Sequence, residues 1–219
     1  MLKGQFQLPV IFDLAATFLF GATGALAALR RGYDFVGLFA LAFVTAVGGA
    51  LIRDGIFIQQ GPPLVAMDSR YMGAILLAGF AGFLFRERFE RLTKLIVWLD
   101  ALGLGVYGVV GVQKSLNAGL SVAGAILVGI INAAGGGLLR DVLVREEPLV
   151  FKPGQFYVLA ALAGCSVFPL LTVEFDQPVA RAALISIALT FVLRILAIQF
   201  NWRTEPLHRP SDPASEKGE

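Results

Sequence analysis

Two stretches of the chain combine consecutive glycines with an adjacent arginine–aspartate pair inside otherwise apolar sequence. In the first stretch, Gly48 and Gly49 are followed four residues later by Arg53 and Asp54. The second stretch keeps this spacing, and its members are Gly135, Gly136, Gly137, Arg140 and Asp141. Charged side chains are costly inside apolar segments of membrane proteins, where they usually mark function. Each stretch is therefore predicted to be a functional element.

The glycines predict where the helix carrying each stretch is interrupted. Each glycine weakens a helix by about 1 kcal/mol relative to alanine. An interruption frees backbone carbonyl groups, which at membrane depth must face protein or a water-filled path. Such carbonyls are suitable ligands for a partly dehydrated monovalent cation. The alternative is that the glycines only allow two helices to pack closely. Because the pattern occurs twice, we favour a pair of pore kinks.

An aspartate lies one helix before each glycine stretch. Consecutive spans run antiparallel, so Asp13 and Arg53 are expected near one face of the membrane. By the same argument Asp100 and Arg140 are expected near the opposite face. We therefore predict two ion pairs, Asp13–Arg53 and Asp100–Arg140, one at each mouth of a pathway. These charges either contact a permeating ion or only pin the helices together, and the sequence leaves both roles open.

Three other polar residues are candidates for the same pathway. Thr45 and Asn132 each lie about one turn before the glycines. Their uncharged oxygens either line the path or bond to neighbouring backbone. Lys114 lies near the end of an apolar segment, where a lysine commonly extends its ammonium group to the membrane surface. A gating charge is the alternative role for Lys114.

The elements that position these residues are predicted to be membrane-spanning helices. The chain has 219 residues, of which 57% are hydrophobic and 16% charged, whereas soluble domains have about 25% charged residues. A membrane helix needs about 20 mostly apolar residues. Seven segments qualify, the third of them being short: 8–29, 35–57, 71–85, 95–113, 119–141, 155–173 and 180–200. With one cysteine and one histidine, neither a disulfide framework nor a cysteine- or histidine-based metal site is expected. We expect no cofactor.

The sequence contains an internal duplication. Aligning residues 13–54 with 100–141, at an offset of 87, gives twelve identities in forty-two ungapped pairs. The identities include Asp13/Asp100, Arg53/Arg140 and Asp54/Asp141, which shared membrane composition does not explain. Each copy holds three spans, so the second copy enters the membrane from the opposite side. In inverted repeats of this kind the binding site or pathway lies near the midplane, where the repeats meet.

The predicted fold class is therefore an all-α integral membrane protein, with two inverted three-helix repeats and a seventh transmembrane helix. We divide the chain into a first repeat (1–94), a second repeat (95–178), the seventh helix (179–202) and a disordered cytoplasmic tail (203–219). Connections that fall on one side of the membrane carry eleven basic residues, against four on the other side. The positive-inside rule then places the N-terminus outside and the C-terminus in the cytoplasm.

The doubled Gly-Gly-x-x-x-Arg-Asp pattern on this helix plan resembles the trimeric intracellular cation (TRIC) channel family, and specifically its prokaryotic branch. The resemblance covers residues 8–200. It implies a homotrimer in a prokaryotic plasma (inner) membrane, with one pore in each protomer, lined by glycine-kinked helices two and five. It further implies permeation of monovalent cations, potassium or sodium, with potassium favoured. In the first copy Ala50 stands where the family has a third glycine.

Gating is also implied by the resemblance, because animal members of the family carry a basic residue in helix four that is linked to gating. Lys114 borders the end of that span here. We expect membrane lipids to be partners and nucleic acid not to be one. The alternative function is a secondary transporter of a small solute such as glycine, since inverted repeats also suit alternating access. A membrane enzyme is disfavoured, because aspartate-rich sites with histidine or Ser–Lys partners are missing from the sequence.

Overall fold

The computed structural model describes residues 7–84, 89–152 and 156–202 of the chain. Every regular element among these residues is a helix. The helices are α1 (Val10–Arg30), α2 (Phe35–Ile52, continued as a π-helix over Arg53–Ile58), α3 (Leu64–Met67), α4 (Ser69–Leu84), α5 (Phe89–Asn117), α6 (Val122–Leu143), α7 (Tyr157–Pro169, continued as a π-helix over Leu170–Glu174) and α8 (Val179–Gln199). The predicted tail, 203–219, lies outside the described residues.

Six of the described helices are long and apolar enough to cross a membrane. The third predicted span corresponds to α4, which is apolar but has only 16 residues. At about 1.5 Å per residue such a helix is shorter than the roughly 30 Å hydrocarbon core of a bilayer. The short helix α3 precedes it and is separated from it by Asp68 alone. The all-helical membrane fold predicted from the sequence is confirmed at this level.

The turns that lead into α2 and α6 are built alike. Asp34 caps α2, because its side chain accepts a hydrogen bond of 2.8 Å from the backbone N–H three residues later. Ser121 caps α6 in the same way, at 3.1 Å. Each turn also contains a glycine with positive φ, Gly32 at 69° and Gly119 at 89°, as is common just past a helix end. These two capping residues, like the two glycines, are 87 positions apart.

The centre of the bundle is formed by α1, α2, α5 and α6, with α2 against α6 and α1 against α5. Alanine and glycine dominate these contacts, and Ala16, Ala42, Ala101 and Ala133 are fully buried. Small residues let helix backbones approach closely where the surrounding solvent is lipid rather than water. α4 packs on α1, while α7 and α8 pack on α5. Large apolar side chains are exposed on the outer surface, as expected for lipid contact.

Candidate functional site: two buried charge clusters and a glycine crossing

The first buried cluster lies at the end of the bundle where α1 begins, which we call the amino end. Asp13 of α1 is only 6% exposed. Its carboxylate accepts a hydrogen bond of 2.6 Å from the Tyr71 hydroxyl of α4. It also forms a salt bridge with the Lys114 ammonium of α5. Three helices thus converge on one carboxylate. Pairing of this kind is what makes a buried charge tolerable.

Arg53 belongs to the same end but has different partners. It is 1% exposed, and its guanidinium forms a two-point contact with Asp54 at 2.6 and 2.8 Å. A third contact, 3.2 Å long, reaches the side-chain oxygen of Asn132 on α6. Asp13 and Arg53 therefore do not form the predicted direct ion pair, although both line one cavity at this end. The physical reason is Lys114, whose ammonium reaches Asp13 from α5, so that Arg53 pairs with its neighbour and with α6 instead.

The second cluster lies at the opposite, carboxy end, where α8 ends. Arg140 of α6 is 4% exposed, and it donates to Asp100 of α5 at 3.0 Å and to Asp141 at 2.9 Å. The predicted contact between Asp100 and Arg140 is confirmed. The guanidinium of Arg194, on α8, lies 4.7 Å from the centre of the Tyr157 ring on α7, a cation–π arrangement. The carboxy-end cluster thus ties α5, α6, α7 and α8 together.

The glycines mark the place where α2 and α6 cross. A Cβ atom added to Gly49 would lie 2.1 Å from the backbone oxygen of Asn132, and one added to Gly136 would lie 2.3 Å from that of Thr45. A Cβ on Gly135 would come within 2.9 Å of the Cα of Gly49. These distances are far below van der Waals contact. The two backbones therefore touch, and only glycine fits at the crossing.

The helix is not interrupted at either glycine run. α2 stays α-helical through Gly48 and Gly49, and α6 does so through its three glycines. Regular geometry ends only at Arg53, where the π-helix begins. The expected interruption at the glycines is thus corrected, because backbone contact across the crossing accounts for them without freed carbonyls. Single-turn π segments are frequent at functional sites, and this one carries Arg53 and Asp54.

Thr45 and Asn132 both lie at this crossing and are fully buried. The Thr45 hydroxyl donates to the carbonyl of Leu41 in its own helix, at 2.7 Å. The Asn132 amide donates to the carbonyl of Tyr107 on α5 at 2.7 Å, while its oxygen accepts from Arg53. The Thr45 side chain is therefore satisfied locally, whereas Asn132 connects three elements.

Two cavities with shared lining residues lie at the amino end of the bundle. The outer cavity, about 270 Å³, is lined by residues that include Asp54, Gln60, Lys114 and Asn117. The inner one, about 20 Å³, has room for about one water and includes Asp13, Thr17, Ala50, Arg53, Tyr107 and Lys114 in its wall. We call it the amino-end cavity. Asp54, Leu64 and Lys114 line both cavities.

Comparison with known proteins places this arrangement in a family. A family model described as Glycine transporter matches residues 10–87 and again 97–174. The Deinococcus radiodurans UPF0126 membrane protein is 34% identical over 185 residues, covering 83% of this chain and 86% of the relative. The Streptomyces coelicolor UPF0126 membrane protein SCO4104 is 41% identical over 202 residues, or 91% of each. The UPF0126 inner membrane protein YadS of Escherichia coli K12 is 31% identical over 190 residues, 86% of this chain and 91% of that protein.

Solved structures decide the identification. The TRIC trimeric intracellular cation channel orthologue from Rhodobacter sphaeroides has a TM-score of 0.81 and 31% identity, over 87% of this chain and 97% of that one. The structure of a TRIC cation channel that was solved to explain conductance gives a TM-score of 0.79 and 29% identity, over 94% of this chain and 100% of that one. The chain belongs to the TRIC channel family. It is an integral membrane protein, as the sequence predicted.

Several residues of the two clusters in this TRIC-family chain were not predicted from the sequence. Tyr71 and Tyr157 come from the third helix of each predicted repeat but differ in position by 86 rather than 87, so the ungapped alignment does not pair them. Tyr107 was not singled out, although its buried hydroxyl bonds to the carbonyl of Ala46 and lies 3.2 Å from Thr17. Arg194 carried a usable signal, since it is a charged residue inside a predicted span.

The Asp13–Lys114 pair can be tested by a double-mutant cycle. We expect Asp13→Asn and Lys114→Met each to lower the thermal unfolding midpoint in detergent, because each leaves a partner charge inside the bundle. The double variant should lose less stability than the two single variants lose together, which corresponds to a coupling free energy of about 0.5–3 kcal/mol. The exposed pair Asp68–Arg70 is the control, and its cycle should show no measurable coupling. Strictly additive effects at Asp13 and Lys114 would show that the pair does not form.

Proposed function

We propose that this protein is a monovalent-cation channel that works as a homotrimer with one path through each protomer. The observation that carries the proposal is the likeness to the TRIC channel from Rhodobacter sphaeroides over nearly the whole of that chain. The buried charge clusters support it, since intramembrane ionisable residues commonly belong to ion pathways. Potassium is the cation we expect to be favoured, with sodium as the competing ion.

The helices are proposed to form two inverted three-helix repeats, 1–94 and 95–178, with 179–202 as the added seventh helix. Reciprocal contacts at the crossing support this plan: Gly49 touches Asn132, and Gly136 touches Thr45. Each member of one contact lies 87 residues from its counterpart in the other. The family model matches two segments whose first residues are 87 positions apart, as are their last residues. Contacts that exchange in this way are expected around a two-fold axis in the membrane plane.

The path is proposed to run along the α2–α6 crossing, so that Gly48, Gly49 and Gly135–Gly137 form its thinnest wall. A pore kink without loss of α-helical hydrogen bonding is sufficient for this role. Asp13, Arg53 and Asp54 would stand at one mouth, and Asp100, Arg140 and Asp141 at the other. Thr45 and Asn132 are proposed to stabilise the wall between them, because their side chains bond to protein groups.

Lys114 is proposed to hold the path closed at its amino end. Its side chain lines both the outer cavity and the amino-end cavity, and its ammonium is paired with Asp13. A cation entering from the outer cavity meets this positive charge before it reaches the carboxylate. Opening would then require the ammonium to leave Asp13, which exposes a negative site in a cavity of about one water. The present arrangement corresponds to a closed path.

The membrane placement is proposed from the distribution of charge. With the N-terminus outside and the C-terminus in the cytoplasm, the amino end of the bundle faces outward and the carboxy end faces the cytoplasm. A prokaryotic inner membrane is the proposed location. The description of the relative YadS as an inner membrane protein supports it.

Ion flux from vesicles tests the proposed function against the transporter named by the family model. Purified protein in vesicles loaded with potassium chloride should release K⁺ down its gradient, at a rate that keeps rising with the gradient. Uptake of labelled glycine should equal that of protein-free vesicles. Saturable glycine uptake without K⁺ release would contradict the channel and support a transporter.

A further inference from the structure

The two halves of the proposed path are lined by residues of different polarity. On the amino side, the amino-end cavity includes Thr17 and Tyr107 in its wall, both with hydroxyl groups. The positions 87 residues away, which the inverted repeat places in the other half, are Leu104 and Phe20. Neither Leu104 nor Phe20 has the hydroxyl group of its counterpart. At a third wall position, Lys114, the counterpart is Ala27, so the carboxy half loses its polar lining at three sites.

Phe20 and Tyr107 meet at the middle of the bundle. They are counterparts in the repeat, and their ring centres are 5.1 Å apart. Phe20 is fully buried, and Tyr107 is 1% exposed. The Tyr107 hydroxyl bonds to the carbonyl of Ala46, but Phe20 has no group to offer the counterpart carbonyl, that of Ala133. A polar contact therefore exists on the amino side of this aromatic pair and has no equivalent on the carboxy side.

The ring of Phe20 fills the space beside the glycine crossing. A Cβ added to Gly136 would lie 3.1 Å from a Phe20 ring carbon, and one added to Gly103 would lie 2.7 Å from another. The ring is thus held from two helices, α5 and α6. Because it lies against Gly136 at the crossing, it stands where a path continuing beyond Tyr107 would have to pass.

Leu104 continues the apolar lining toward the carboxy end. It is fully buried and packs with Ala133, Ala134, Tyr157 and Ala161. It lies one turn after Asp100 on α5, so it separates the aromatic pair from the ionic cluster at that end. The wall of the amino-end cavity includes Tyr107 but neither Phe20 nor Leu104.

We infer that Phe20 and Leu104 form an apolar gate in the carboxy half of each protomer, in series with the ion pair of the amino half. This inference rests on the proposed function. An apolar constriction closes a channel by excluding water, since a cation cannot cross without its hydration shell or substitute ligands. The path would thus be closed at two places by different chemistry. The Asp13–Lys114 ion pair closes it near the amino end, and the apolar gate closes it next to the carboxy-end cluster.

Copying the polar residues of one half into the other tests the gate. Phe20→Tyr and Leu104→Thr introduce the residue types found at Tyr107 and Thr17. We expect each to raise K⁺ release from vesicles by about tenfold, because a hydroxyl supplies about one hydrogen bond to water in the constriction. Leu38→Thr is the matched control: it removes a leucine that is also buried, in a cluster with Ala25, Ala28 and Ala42 that contains neither Phe20 nor Leu104. Its K⁺ release should equal that of the wild type.

The outcomes separate the gate from the proposed function. Unchanged K⁺ release in Phe20→Tyr, which adds one oxygen atom and keeps the ring, would overturn the gate even if Leu104→Thr failed to fold. An equal rise in Leu38→Thr would also overturn it, because the effect would then be a general loosening of the bundle. A wild type that releases no K⁺ while Phe20→Tyr does would support the gate together with the channel. No release from any variant would overturn both.

Discussion

Replacing Gly49 or Gly136 with alanine is expected to lower the stability of the protein more than any other single methyl addition in α2 or α6. The added methyl group would have to occupy space 2.1 Å from the backbone oxygen of Asn132, or 2.3 Å from that of Thr45. Backbone cannot rotate away as a side chain can. Overpacking typically costs about 1–3 kcal/mol and occasionally more, which exceeds the gain of about 1 kcal/mol in helix propensity.

Thermal unfolding in detergent measures this effect, with Gly73→Ala as the matched control. Gly73 lies in α4, and an added methyl group meets no atom within 4 Å. Its replacement should leave the unfolding midpoint unchanged or raise it slightly. If Gly49→Ala and Gly136→Ala unfold at the wild-type temperature, α2 and α6 do not touch at these residues. That result would remove the basis for a crossing at the centre of the protomer.

Loss of Arg140 is expected to have the second large effect. Its guanidinium is the partner of Asp100 and Asp141, all three residues being nearly inaccessible to solvent. Arg140→Met would leave two carboxylates inside the bundle with one cation fewer. Removing one partner of a buried ion pair typically costs about 3–5 kcal/mol. We therefore expect Arg140→Met to accumulate as unfolded or aggregated protein, or to unfold well below the wild type in detergent.

Partial rescue distinguishes an ionic role for Arg140 from simple packing. The double variant Arg140→Met, Asp100→Asn removes a negative charge together with the positive one and should recover part of the lost stability. Arg140→Lys should recover less than full stability, because an ammonium group cannot hold both carboxylates in the fixed geometry of a guanidinium. Arg181→Met, at an exposed position of α8, is the control and should match the wild type. A double variant no more stable than Arg140→Met would argue against the ion pair.

Features set by local chemistry and by the duplication could be predicted from the sequence. The spans follow from the length of apolar segments, and the Asp100–Arg140 contact follows from helix direction and from spacing. The same reasoning failed for Asp13 and Arg53, because it treated the repeats as equivalent. Lys114, where the first repeat has Ala27, supplies a competing cation from α5, and only the packing of α5 against α1 reveals the exchange of partners.

Other features depend on three-dimensional packing that no single segment encodes. The glycines predicted an interruption because their repetition was taken to favour pore kinks over close packing, whereas the close approach of α2 to α6 explains them without one. The π-helix that begins at Arg53 has no signal in the helix propensities of its residues. The contact between Phe20 and Tyr107 joins positions that the repeat pairs in sequence. It becomes visible only when the two halves are placed around a common axis.

Single-channel recording of the purified protein in planar bilayers tests the central claim most directly. With unequal potassium chloride on the two sides, the wild type should give unitary currents that reverse near the potassium equilibrium potential. Gly136→Leu, in protein that is folded and trimeric, should abolish or greatly reduce these currents, because the side chain does not fit at the crossing and would displace α2 from α6. Wild-type protein without unitary currents, or a folded Gly136→Leu variant with unchanged conductance, would contradict a cation path along α2 and α6.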